Sequence, residues 1–209
     1  MEEINNIIIE LINKDKSLVS ALSKTKLLAI HLQNDSLLLW VERELNGYEN
    51  KDLPSYRSFK AHVIGTFING QYKYNNQPIS TIHMSHELDT QLHTISFQQS
   101  VENLELILET TQSTSIEFKF PSSICEQIED HLRAMGSPNF QLIECKKTIS
   151  ISVISEILNK IRIILLDFLL KMDAEFNELK NVSLLQDKSN EVNQIVKQIL
   201  QKHHALAIK

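Results

Sequence analysis

Apolar positions recur at three- and four-residue steps through the N-terminal part of the chain. Ile4, Ile7, Ile8, Leu11 and Ile12 share one face and predict a helix from about Glu2 to Asn13. After the break at KDKS, Ser17 is placed to cap a second helix carrying Leu18, Ala21, Leu22, Leu28 and Leu32. Asp35 is placed to cap a third, SLLLWVEREL, and Gly47 stands just past its last periodic residue, Leu45. A glycine there stops a helix easily, because it has no Cβ to clash at positive φ. Short links of this kind favour antiparallel neighbours.

From Tyr56 the period falls towards two. In SYRSFKAHVIGTFING, Phe59, Ala61, Val63 and Gly65 or Phe67 lie on one side, with imperfect alternation. Asn69-Gly70 is a two-residue hairpin signal, QYKY the return strand and NNQPIS a loop. Residues 80–97 are the least legible; Ser85 heads a short helical pattern, SHELDTQL. A further helix is expected over about Gln98–Thr110, a strand at STSIEFKF, a helix at PSSICEQIEDHLRAM closed by Gly136, and a strand at FQLIECKKTIS. Then Ile151, Ile154, Leu158, Ile161, Leu165, Phe168 and Met172 step by three and four, flanked by Ile157, Ile164 and Leu169. A stripe that wide belongs to a helix at the centre of a core. The expected fold is α+β and predominantly helical: antiparallel N-terminal helices, a small central sheet with a hairpin, and a long C-terminal core helix.

The division expected is a domain over 1–180, comprising a helical part (1–47), a mixed part (56–148) and the long helix (149–180), followed by a linker and amphipathic helix over 181–209. In that tail Val192, Ile195, Val196, Ile199 and Leu200 share a face, as either a docked last helix or an exposed interaction element. Of these, Val192, Ile195, Val196 and Ile199 are taken as the interaction helix.

Composition narrows the picture. The chain has 209 residues, 42% hydrophobic, with four glycines and four prolines, enough to bury a core with few long loops. The net charge of −5 argues against a general nucleic-acid surface. The run from Ile151 to Met172 is interrupted by Glu156, Lys160, Arg162, Asp167 and Lys171, so no membrane span is expected. Acidic residues at Glu2 and Glu3 do not suit a secretory signal, and the expected location is cytoplasmic. Cys125 and Cys145 are expected as reduced, buried thiols.

Candidate chemistry is sparse. The glycines at 47, 65, 70 and 136 build no phosphate loop, and HExxH, CxxC and GxSxG are absent. His83, His86 and His93 have helical spacing, but spacing alone is weak evidence, and neither a metal nor a cofactor is expected. His203-His204 reads as a solvated helix end. Arg57 and His62 match the Arg-x4–6-His spacing of the HEPN ribonucleases. On a strand, however, five steps send the two side chains to opposite faces, so the match reads as coincidence. Glu105/Glu109 and Glu126/Asp130 are carboxylate pairs on solvated helix faces, and Cys125 is a structural cysteine near a helix start.

Three segments carry a resemblance: LWVERELNGY with LPSYR (Leu39 to Arg57), the GTFINGQYKYNNQPIS hairpin (Gly65 to Ser80), and FKFPSSICEQIEDHL with ISVISEILNKIRIILLDFLLKM (Phe118 to Met172). On these the chain resembles the AbiTii domain family, bacterial proteins grouped with abortive-infection and other phage-defence systems. The resemblance covers about residues 1–178. It implies a role in antiviral defence and emphasises Trp40, Glu44, Leu45, Asn46, Gly47, Tyr48, Pro54, Tyr56 and Arg57, without supplying a catalytic motif. The favoured expectation is an interaction or assembly module that forms a homo-oligomer or docks on a defence partner. The alternatives are an effector enzyme acting on nucleic acid or nucleotides, resting on Arg43, Glu44, Tyr56 and Arg57 as binding residues, and a sensor of a phage product.

Overall fold

The computed structural model describes residues 2–13, 16–49, 53–176 and 188–203. Among them the fold is α+β and mostly helical, with eight α-helices and small antiparallel sheets. The chain divides into two compact units, each discontinuous in sequence.

The first unit comprises Met1–Ser58, Ser96–Thr111 and Ile154–Lys209. It holds α1 (Glu2–Ile12), α2 (Leu18–His31), α3 (Asp35–Asn46), a 3-10 turn (Ser55–Arg57), α5 (Val101–Thr110), nearly all of α7 (Ser152–Phe176) and α8 (Ser189–Lys202). Ser17 caps α2 by accepting from the Val19 N–H, as expected. The α2 terminus also holds a carboxylate: Glu105 of α5 accepts from Ser17 Oγ at 2.6 Å and from the Leu18 N–H at 2.8 Å. A carboxylate there meets the positive end of the helix dipole. At the other polarity, Arg162 of α7 donates to the Leu11 carbonyl at 2.8 Å, at the end of α1.

Helix α7 is the core of this unit, as its wide stripe predicts. Ile154, Ile157, Ile161, Ile164, Leu165, Phe168, Leu169, Met172 and Phe176 are all buried. Helix α8 corrects the expectation of an exposed apolar face. Val192, Ile195, Val196, Ile199 and Leu200 are buried within the chain. Val196, Ile199 and Leu200 line a closed apolar seam with Leu37 and Trp40 of α3 and Ile164 and Phe168 of α7. Polar contacts fix the docking: Asn34 meets Asn193, and Asp167 of α7 accepts from Lys202 Nζ at 2.7 Å and pairs with His203 Nε2 at 2.8 Å. His203 is therefore buried, not solvated, and the Lys202 and His203 bonds hold the Asp167 carboxyl below its usual range. The linker expected from residue 181 lies outside the described residues as far as 187, as does His204.

The second unit comprises Phe59–Ile95 and Gln112–Val153. Its four-stranded antiparallel sheet has the order β3-β2-β6-β5, built from β2 (His62–Asn69), β3 (Tyr72–Pro78), β5 (Ser115–Lys119) and β6 (Phe140–Ser150). Val63, Ile79, Leu92, Ile124, Ile128 and Cys145 form its core, with α4 (His86–His93) and α6 (Ser122–Ala134) supplying the helical residues. Two short strands, β1 (Ser58–Lys60) and β4 (Thr94–Ser96), pair as a separate ribbon.

Several local expectations are corrected. Asn34, not Asp35, caps α3 by accepting from the Leu37 N–H at 2.7 Å. Tyr56 and Arg57 lie in the 3-10 turn, not in a strand. The hairpin loop is Gly70-Gln71, because Asn69 still pairs with Tyr72, and Gly70 takes the positive φ of 64°. Strand β3 continues through NNQP, expected as a loop; a bulge opposite Thr66, with Asn76 at φ 50°, lets it run on to Pro78.

Gly47 does end α3, but at φ 97° and ψ 173°, a region essentially reserved for glycine. A Cβ there would stand 2.7 Å from the Gln98 carbonyl oxygen, which also accepts the Tyr48 N–H at 2.8 Å. Gly47→Ala is therefore expected to destabilise the fold by about 2 kcal/mol or more in urea unfolding. Gly70→Ala, with open space around its Cβ, should cost only about 1 kcal/mol.

Candidate functional site

The polar candidates at the junction of α3 and the 3-10 turn meet inside the first unit. Trp40, Glu44 and Tyr48 follow one another at steps of four, so α3 and the residues just after it present them on one side. Pro54 fixes the entry of the returning chain, and its carbonyl accepts the Arg57 N–H at 3.0 Å to close the turn. This brings Tyr56 and Arg57 onto Glu44.

Glu44 and Arg57 are both fully buried. Arg57 Nη2 donates to Glu44 Oε2, while Nη1 donates to the carbonyls of Phe97 at 3.0 Å and Gln99 at 2.8 Å. The other carboxylate oxygen, Oε1, accepts from the hydroxyls of both Tyr48 and Tyr56. The Tyr56 oxygen in turn accepts from Trp40 Nε1 at 3.0 Å. The Tyr48 ring lies under the guanidinium carbon at 4.8 Å, a cation–π contact. Each carboxylate oxygen is therefore occupied, and on Arg57 only Nε lacks an acceptor.

The electrostatics follow from this packing. Burial works against the Arg57 charge, yet the Glu44 carboxylate and the two phenols prevail and hold the guanidinium above its ordinary value. Burial first, then the Glu44 charge, pushes both phenols far above the ordinary tyrosine range. Both phenols and the guanidinium are thus pushed further from neutrality, away from the range that general acid–base work uses. The arrangement does what a buried ion pair with satisfied partners does: it fixes one geometry among segments far apart in sequence.

Of the four candidate binding residues, Glu44, Tyr56 and Arg57 thus converge, but on one another and not on a cleft. Arg43 is half-exposed, about 100° around α3 from Glu44. His62 is exposed on β2, while the Arg57 guanidinium is sealed in the network. His93 has structural partners, Ala61 O at 2.9 Å and Thr81 Oγ1 at 3.0 Å. Among the described residues no group of three or more His, Cys, Asp or Glu side chains is arranged to hold a metal ion. Glu105, half of a routine carboxylate pair by sequence, reinforces the Ser17 cap of α2 by accepting the Leu18 N–H.

The expectation of reduced cysteines is corrected. Cys125 of α6 and Cys145 of β6 form a disulfide, with Cα atoms 6.2 Å apart. Their separation of 20 residues carried no pairing signal; the return of β6 under the first turns of α6 supplies it.

The AbiTii family model matches residues 3–198, and the chain belongs to the AbiTii family. The match runs past residue 181 and takes in most of α8. The family name ties the chain to abortive infection, a bacterial form of phage defence. No curated protein and no solved structure matches the chain. No helix among the described residues is long and apolar enough to cross a membrane.

Two outcomes test the network. Arg57→Met should cost about 3–5 kcal/mol, because it strands a buried carboxylate, and adding Glu44→Gln should recover most of that loss. With both phenols raised in the folded state, their contribution is intact below about pH 10 and is lost as pH climbs above it. In urea titrations at rising pH, Tyr48→Phe and Tyr56→Phe should each lower that downward slope by up to about 1.4 kcal/mol per pH unit.

Proposed function

We propose that the chain serves abortive infection inside the bacterial cell as an interaction module that self-associates. The face it uses is on α1 and α2, replacing the buried face of α8. The observation that carries this reading is a set of four large aliphatic side chains left in water on these two helices. Ile9 and Ile12 are 67% and 66% exposed, and Leu27 and Ile30 are 60% and 50% exposed. Each pair is three residues apart, so each lies along one helix face. Ile9 and Leu27 line a groove of about 670 Å³. Clustered exposed aliphatics of this kind mark contact surfaces more often than isolated ones do.

Charge favours a second copy of the chain as the occupant. The short link and the Glu10–Lys24 ion pair at 2.5 Å set α1 and α2 antiparallel. Glu3 then lies at one end of the groove and Lys16 at the other, with the aliphatics between. A two-fold axis through the middle would bring Glu3 of one copy to Lys16 of the next, the self-complementarity a closed dimer needs. The effector reading has lost the support of Glu44, Tyr56 and Arg57, which are occupied by one another.

The doubly substituted Ile9→Asp, Leu27→Asp protein should keep its circular-dichroism spectrum and a cooperative unfolding transition, since both positions face water within one chain. Light scattering should show the wild-type assembly reduced to monomer, and bacteria carrying the variant should lose phage protection. A monomeric wild type, or a variant that protects as well as wild type, would refute the reading.

A further inference from the structure

The Cys125–Cys145 disulfide is chemically lopsided. Cys145 is sealed in the core of the second unit, while Cys125 is half-buried. Both line a cavity of about 270 Å³ whose rim includes the exposed residues Lys119, Ser122, Glu126, Ile143 and Glu144. Cys125 also sits in the first turn of α6, where its N–H and that of Ile124 both bond back to the Pro121 carbonyl. Side chains on a helix lean towards its N-terminus, so the sulfur lies near the positive end of the dipole. Of the two sulfurs, Cys125 is the one an incoming thiolate can reach, and the dipole then favours Cys125 as the sulfur displaced when a mixed disulfide there is resolved.

We propose that Cys125 is a thiol-exchange site that accepts a small neutral or cationic thiol. The incoming thiolate sulfur attacks Cys125 Sγ and forms a mixed disulfide. The Cys125–Cys145 bond breaks, and its electron pair leaves on Cys145 Sγ, which takes up a proton from solvent. A second thiolate attacks the mixed disulfide, releases the small disulfide and leaves Cys125 as a thiolate. Two small thiols are oxidised and one protein disulfide is reduced. Because burial disfavours the Cys145 thiolate, ring closure is slowed, and the mixed disulfide lasts long enough for an acid quench to trap it.

The cavity wall selects by charge. Glu126 and Glu144 are exposed on it, Glu129 is already paired with Arg133 at 2.6 Å, and Lys119 is the opposing cation. The excess of carboxylates attracts an aminothiol and repels a thiol carrying a sulfonate or carboxylate. The effect weakens with salt, because these charges face solvent.

The test uses the full chain, purified without reductant, and the probes cysteamine, 2-mercaptoethanol and mercaptoethanesulfonate at matched thiolate concentration. Acid quenching and peptide mass spectrometry locate the mixed disulfide. The label should fall on Cys125 over Cys145 by at least about tenfold. Cysteamine should react fastest and the sulfonate slowest at low salt, with the gap closing near about 1 M salt. Cys145→Ser, in which Cys125 is a free thiol, should take up the same adduct from cystamine, the disulfide form of cysteamine, with release of one cysteamine; if that variant does not fold, the wild-type map decides alone. Label mainly on Cys145, a sulfonate as fast as cysteamine at low salt, or two thiols freely alkylated before any reductant is added would each overturn the proposal.

Discussion

The Glu44–Arg57 pair is the constraint around which the first unit is arranged. Two opposite charges with no exposure to water survive only if the lone pairs and N–H groups around them are nearly all given partners, since each stranded charge costs several kcal/mol. That requirement explains the neighbours. Tyr48 and Tyr56 both donate to the carboxylate, Trp40 orients Tyr56, and two backbone carbonyls before α5 receive the guanidinium. It also explains Gly47. The chain must turn away from α3 within one residue of Asn46 and pass close to Gln98, and a side chain would prevent that approach. The ion pair therefore binds α3, the 3-10 turn and the segment entering α5 into one corner.

The helices were legible because their periodicity is a property of the chain itself. The stripe of α7 announced both its length and its central place, and Ser17, Ser85 and Gly47 marked real ends. What could not be read were relations between distant segments. An amphipathic face on α8 says that something covers it, not that the cover is α3 and α7 of the same chain. The short β4 and the polar β3 are strands because β1 and β2 pair with them, and NNQP has little strand preference of its own. Cys125 and Cys145 meet only because α6 packs on β6.

The candidate site was half legible. Trp40, Glu44, Tyr48, Tyr56 and Arg57 all lie in the stretch that carries the family resemblance, and they do converge. Their role turns on Phe97 and Gln99, which contribute backbone carbonyls and so leave no side-chain signal. Without those acceptors Arg57 looks available for a ligand; with them it is committed. The fingerprint thus reads as the specification of a corner. The surfaces we propose for other molecules lie elsewhere, on the aliphatic face of α1 and α2 and at the half-exposed end of the disulfide.

The central claim is that the corner is architecture, and the most direct measurement is phage protection by the Glu44→Gln, Arg57→Met double variant, scaled to the amount of folded protein. The amide still offers an oxygen to the two tyrosines, and no buried charge is left without a partner. Protection per folded molecule should equal wild type. A double variant that is folded and equally abundant but gives no protection would contradict it, and would return Glu44 and Arg57 to the role of a functional site.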